Sequence, residues 1–116
     1  MATSTIYRDF KPVNITNPIT FNSDISVGQQ FAVVYGKLVI LFINIYVNSA
    51  YTVGIQMGTI KSGLIPAYLS GNFMGYFNDT SKGMKFRINT DGKCYHDGNT
   101  ALSIGWYSGF VTYLRK

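Results

Sequence analysis

Ten consecutive residues, Leu38-Val39-Ile40-Leu41-Phe42-Ile43-Asn44-Ile45-Tyr46-Val47, leave this chain few ways to fold. They are dominated by β-branched and aromatic side chains and carry no helix punctuation, which predicts a strand. Side chains along a strand alternate between faces, so Val39, Leu41, Ile43, Ile45 and Val47 form one set. Leu38, Ile40, Phe42, Asn44 and Tyr46 form the other. Both sets are largely apolar, whereas a surface strand of an antiparallel sheet keeps one wetted face. One set therefore packs on a second sheet, and the other needs a cover that in so short a chain is expected to come from another copy of the protein. Periodicity defines the two sets without saying which turns inward. The assignment made is that Leu38, Ile40, Phe42, Asn44 and Tyr46 line the subunit interface, with Asn44 and Tyr46 as its polar end.

The rest of the composition agrees with an all-β domain. Glutamate is absent from the 116 residues, and the strong helix formers are under-used beside Ile, Val, Thr, Tyr, Phe and Gly. The length is that of one domain with a single core. Only 13% of residues are charged, about half the roughly 25% of an average domain, and a sparsely charged surface suits an oligomer. The net charge of +5 comes from basic residues scattered between Arg8 and Lys116. That pattern reads as solvated strand faces with lysines guarding hydrophobic strands, with a mild pull on anionic partners. Cys94 has no second cysteine to pair with, so no disulfide within the chain is expected. Met1 to Thr5 lacks the basic-then-apolar pattern of a signal peptide, and no run approaches the roughly 20 apolar residues of a spanning helix. Neither a membrane partner nor a cofactor is expected.

Taken in order, residues 1–30 carry Pro12 and Pro18 among polar residues and read as an extended leader or edge segment, with a strand around Ile19 to Ile25. Residues 31–116 form the domain proper. Phe31 to Tyr35 and Leu38 to Val47 flank Gly36-Lys37, a two-residue loop with glycine first that suits a type II′ hairpin. Further strands are expected at Tyr51 to Gly58, Asn72 to Phe77, Met84 to Asn89, Lys93 to Asp97, Thr100 to Ile104 and Phe110 to Leu114. Lys61 to Ser70, Asn78 to Gly83, Asp97-Gly98-Asn99 and Gly105 to Gly109 are expected to connect them. About seven or eight short strands with regular turn signals predict an antiparallel β-sandwich or barrel.

One hairpin concentrates side chains with chemical potential. Asn89-Thr90-Asp91-Gly92 is expected to form a type I turn with Gly92 as a left-handed bulge, pairing Arg87 with Tyr95, Lys85 with Asp97 and Ile88 with Cys94. Phe86, Ile88, Cys94 and His96 then face the core. Lys85, Arg87, Tyr95 and Asp97 share the outer face, where they make either an ordinary solvated surface or a platform for a saccharide or phosphate-bearing glycan. On the second reading, Tyr95 meets the C–H side of a sugar ring and the charged groups orient its oxygens. Trp106 and Tyr107, in a glycine-flanked segment, are candidates for a second wall, with a core plug as the alternative for Trp106.

From Leu38-Val39-Ile40 before the long apolar strand, the Gly63 to Pro66 loop, Phe86 to Gly92 and the terminal Thr112-Tyr113-Leu114-Arg115-Lys116, residues 31–116 resemble the C-terminal head domain of receptor-binding proteins from lactococcal and related siphophage baseplates. The resemblance implies a homotrimer in the virion, at a phage tail tip or baseplate, adhering to cell-wall polysaccharide of a Gram-positive host. It also implies contact with other baseplate or tail proteins through the N-terminal segment. Where that family suggests a His-x-Asp pair before the turn, Lys85 and Arg87 stand here, a departure that favours an anionic glycan. A ligand-free structural baseplate or fibre protein is the first alternative. A basic nucleic-acid-binding module is the second, weakened by the spread of its basic residues. One histidine and dispersed aspartates give no sequence-local sign of a catalytic or metal constellation, so neither an enzyme nor a metal site is expected.

Overall fold

The computed structural model describes residues 11–68, 75–79, 82–97 and 101–116. Among them are nine strands: β1 (Val13–Thr16), β2 (Ile19–Phe21), β3 (Ile25–Tyr35), β4 (Leu38–Val47), β5 (Gln56–Ile60), β6 (Gly75–Asp79), β7 (Lys82–Ile88), β8 (Lys93–His96) and β9 (Gly105–Leu114). They form two antiparallel sheets, β1-β3-β4-β9 and β2-β5-β8-β7-β6. An antiparallel β-sandwich is therefore the fold, as expected, with β3, β4 and β9 running 11, 10 and 10 residues rather than being short.

β4 is the interior strand of the first sheet, paired to β3 on one side and to β9 along its whole length on the other. Val39, Leu41, Ile43, Ile45 and Val47 are fully buried, which resolves the choice that periodicity left open. They meet Met57, Met84, Phe86, Ile88 and Cys94 of the second sheet in one core. Burial there pushes the Cys94 thiol well above its ordinary pKa, leaving it protonated and inert. The Tyr113 hydroxyl, also pushed up by burial, donates to the Leu64 carbonyl at 2.6 Å. At the β3–β4 turn, Tyr35 pairs with Leu38, and Gly36 has φ 58. Lys37 stays at negative φ, as a type II′ loop requires.

The expected boundary between residues 30 and 31 falls inside β3. β1 and β2 each sit at a sheet edge, β1 on β3 and β2 on β5. The two sheets are joined here by a side chain. Gln30 Oε1 accepts from the Ile19 amide at 3.0 Å, and its Nε2 donates to the Ile19 carbonyl at 2.8 Å. A buried amide satisfied on both ends in this way stands in for a strand neighbour.

Several expected elements are placed differently. Tyr51 to Gly58 alternates like a strand, yet the strand is confined to Gln56–Ile60. Thr52 to Ile55 forms a turn closed by Ile55 N–H to Thr52 C=O at 3.2 Å, with Gly54 at φ 91, the left-handed value a type II turn demands at its third residue. The opposite error occurs at Gly105 to Gly109, expected to be a connection. Those residues are the first half of β9, paired with Ile43 to Val47, so the ladder offered by β4 outweighs the local glycine signal. Of the strand expected at Thr100 to Ile104, Leu102 makes one isolated bridge to Tyr51, and Thr100 lies outside the described residues. The connection expected at Asn78 to Gly83 is narrower, since Asn78 pairs with Gly83 and Asp79 with Lys82 at the ends of β6 and β7, and Asn72 to Met74, Thr80 and Ser81 lie outside the described residues.

Candidate functional site

The β7–β8 hairpin has the expected register: Phe86 pairs with His96, Arg87 with Tyr95 and Ile88 with Cys94. Gly92 N–H donates to Asn89 C=O and Asn89 N–H to Lys93 C=O, both at 2.9 Å, and Gly92 sits at φ 88. Type I turn and left-handed bulge together bring Arg87 and Tyr95 onto one outer face. The Arg87 guanidinium carbon lies 4.9 Å from the Tyr95 ring centroid, within cation–π range. Arg87 Nε is buried and has no hydrogen-bond partner among the described residues. Beyond Tyr95 the face continues to Gln56 on β5, and below it to Asp97, whose amide bonds the Lys85 carbonyl at 2.8 Å. Phe86, Ile88, Cys94 and His96 point inward, with His96 Nδ1 accepting from the Lys85 amide at 3.3 Å.

The other two candidate residues do not join this platform. Tyr107 is 0% exposed, and its hydroxyl donates to the Ser103 carbonyl at 2.9 Å. It is a core residue and forms no wall. Its neighbour Trp106 therefore points the opposite way, out of the first sheet, on the far side of the sandwich from Arg87. The alternation along β9 sends these two neighbours to opposite faces.

Trp106 instead belongs to the outer face of the first sheet. Its ring meets Tyr46 edge-on at 5.2 Å between centroids. Further along, Phe31, Phe42 and Phe110 form a row across three strands, with centroid separations of 5.3 and 5.0 Å. Leu38, Ile40 and Leu114 extend the apolar surface towards the β3–β4 turn. Phe110 is 60% and Trp106 50% exposed, so the face is aromatic, contiguous and open. The Leu38, Ile40, Phe42, Asn44, Tyr46 set thus faces outward, as a covered interface would need.

Gly28, where the β3–β4 register shifts, lies under the Trp106 ring. A Cβ at this position would fall 2.9 Å from Trp106 Cζ3 and 3.0 Å from Asn44 Nδ2. Because Trp106 is the sole tryptophan, the contact has a direct readout. Gly28→Ala is expected to lift the indole off the sheet, red-shifting its emission and increasing acrylamide quenching, at an overpacking cost of about 1–3 kcal/mol. Unchanged emission in the folded variant would mean that the indole does not rest on Gly28.

A polar cluster that no spacing in the chain announces lies at one end of the sandwich. Ser49 Oγ donates to Asp24 Oδ2 at 2.6 Å, and the Tyr51 hydroxyl donates to Asp24 Oδ1. Asn22 Nδ2 donates to the Tyr51 hydroxyl at 3.2 Å and to the Gln56 carbonyl at 2.7 Å. The Ser49 and Tyr51 hydroxyls hold the Asp24 carboxyl below its ordinary pKa of 3.8. Burial, reinforced by Asp24, pushes the Tyr51 phenol up. Asn22 and Asp24 lie in the stretch read as a leader and Tyr51 in a supposed strand. Only the meeting of the β2–β3 and β4–β5 connections joins them.

Among the described residues, no group of three or more His, Cys or Asp side chains is placed to hold a metal ion. Among them, too, no helix is long and apolar enough to cross a membrane.

The fold has a counterpart among solved structures. It matches the receptor binding protein (gp15) of Listeria phage PSA with a TM-score of 0.69 and 17% identity, over 99% of this chain and 71% of that one. At this identity the likeness is one of fold, and at that level it agrees with the resemblance to phage receptor-binding heads drawn from the sequence. No protein-family model matches the chain, and no curated protein matches it.

Proposed function

We propose that this chain is the receptor-binding domain of a phage tail or baseplate, acting in the virion as a homotrimer that adheres to saccharide on the host surface. The observation that carries the reading is the fold likeness to a phage receptor binding protein over 99% of the chain. Two features of the chain's own surface support its parts. The open aromatic face of the first sheet, with Ile40 and Phe42 at its centre, suits burial against identical copies around a symmetry axis. Trp106 lies on this face and is assigned to it, not to the hairpin.

The hairpin face of Lys85, Arg87, Tyr95 and Asp97 is the proposed saccharide platform. Its stacked arginine favours a ligand bearing anionic oxygens, such as a phosphate-substituted cell-wall glycan. The test is binding of the wild-type protein to cell-wall polysaccharide purified from Gram-positive strains, set beside Arg87→Ala. A lost hydrogen bond to a charged group costs about 1.5–3 kcal/mol, so affinity is expected to fall about tenfold or more while the oligomer stays intact. Equal binding by the variant would sink the platform. A wild type that binds no host strain or polysaccharide would instead support a ligand-free structural role.

A further inference from the structure

We propose that the cleft around Asp24 is a second binding site, selective for a neutral saccharide that offers a pair of adjacent hydroxyl groups. The inference deepens the receptor-binding reading and rests on it. The cleft, of about 430 Å³, is lined by Asn22, Asp24, Ala50, Tyr51, Thr52 and Ile55, among others. It lies between the Asn22–Asp24 turn and the connection from β4 to β5.

Its construction argues for more than chain reversal. Asp24 is held from three directions: by Ser49 and Tyr51 on its two carboxylate oxygens, and by Asn48, whose side-chain Nδ2 donates to the Asp24 carbonyl at 3.0 Å. Tyr51 is itself pinned by paired backbone bonds to Leu102, at 3.2 and 2.8 Å. Asn48 also reaches Ser26 Oγ at 3.1 Å. The carboxylate plane is thereby fixed before any ligand arrives, so little ordering entropy remains to be lost on binding. A carboxylate accepts about four hydrogen bonds, and the two hydroxyl donors fill about half of that capacity.

What remains suits two hydroxyl donors on neighbouring carbons. The ionised carboxylate repels phosphate, and none of the residues lining the cleft is basic. Exposed Ile55 gives the apolar side of a sugar ring a surface, and Thr52 a further hydroxyl. The cleft thus complements the basic hairpin, one reading the neutral ring and the other an anionic substituent.

Position agrees with this use. β1 begins next to the β3–β4 turn, since Val13 pairs with Val34, and the Arg115 amide bonds the Lys37 carbonyl at 2.8 Å. Residue 11 and residue 116 therefore lie at one end of the sandwich, while Asp24, just before the start of β3, lies at the other. The 11 residues of β3 separate the ends by about 33 Å. A domain held from either of those residues presents the Asp24 end outward.

The test is a ¹⁵N–¹H NMR titration of the intact chain with methyl glucoside, methyl galactoside and methyl rhamnoside, and separately with glycerol phosphate. Neutral glycosides are expected to shift the amides of Ser23, Asp24, Thr52 and Ile55 at millimolar concentration, and glycerol phosphate is not. Asp24→Asn, which keeps the size but removes the charge and one of the two acceptors for the Ser49 and Tyr51 hydroxyls, should weaken the response by about 10- to 100-fold. Ile55→Trp, at an exposed position that does not threaten folding, should block it. Shifts by the neutral glycosides elsewhere, no shifts at all, or an undiminished response in folded Asp24→Asn and Ile55→Trp would each overturn the site. Those results would leave the receptor-binding reading standing if the protein still adsorbs to host cells; failure to adsorb to any strain would strike that reading itself.

Discussion

Leu41→Asp leaves no folded domain: heating or urea should produce no cooperative transition, and the protein should remain in the insoluble fraction. Leu41 is 0% exposed at the centre of β4, between Ala32 on β3 and Val111 on β9. A carboxylate placed there has no basic group among the residues of this core cluster. The loss combines the transfer energy of a leucine with the penalty of a buried unpaired charge, and it exceeds about 4–5 kcal/mol. Domains of this size have about 5–15 kcal/mol in total, so the change consumes most or all of it. A soluble Leu41→Asp variant with a normal melting transition would show that β4 is turned the other way.

Phe42→Asp, one residue along, is expected to do something different. Its ring lies on the outer face between Phe31 and Phe110, so an aspartate there can reach water in the isolated subunit. The fold should survive, with a loss of stacking worth about 1–3 kcal/mol. In the proposed trimer the same change puts three like charges near one axis, after each copy has lost an aromatic anchor. Sedimentation should then move from trimer to monomer, with the melting transition retained. Trp106 emission should shift to the red as its surroundings become wet. A monomeric wild type at micromolar concentration, or a trimeric Phe42→Asp, would remove the interface from this face.

The contrast between positions 41 and 42 is legible in sequence because a strand's period is two, and only the direction of the faces depends on the packing of the two sheets. The hairpin was legible for a related reason: Asn at the first turn position and Gly at the fourth specify the loop, and the loop specifies every pair behind it. Alternation and glycine mislead where tertiary partners override them. Tyr51, Val53 and Ile55 alternate without being a strand, because Gly54 turns the chain at φ 91. Gly105 and Gly109 lie within a strand because β4 supplies their partners. The Asp24 cluster was out of reach for a deeper reason. Asn22, Asp24, Ser49 and Tyr51 carry no common spacing, and they meet only where the β2–β3 and β4–β5 connections cross between the sheets at one end of the sandwich.

The edge position of β1 has a mechanical consequence. Antiparallel hydrogen bonds run perpendicular to the strands, and β1 runs from residue 13 towards the far end of the sandwich. A pull on residue 11 directed away from the Asp24 end therefore acts along β1. The four pairs from Val13–Val34 to Thr16–Phe31 carry this load in shear, all together, instead of opening one after another as a zipper would. Directly behind them stands the Gln30 amide, gripping both backbone groups of Ile19. The strand at the edge of the sheet, the easiest to peel sideways, is set to bear tension along its length.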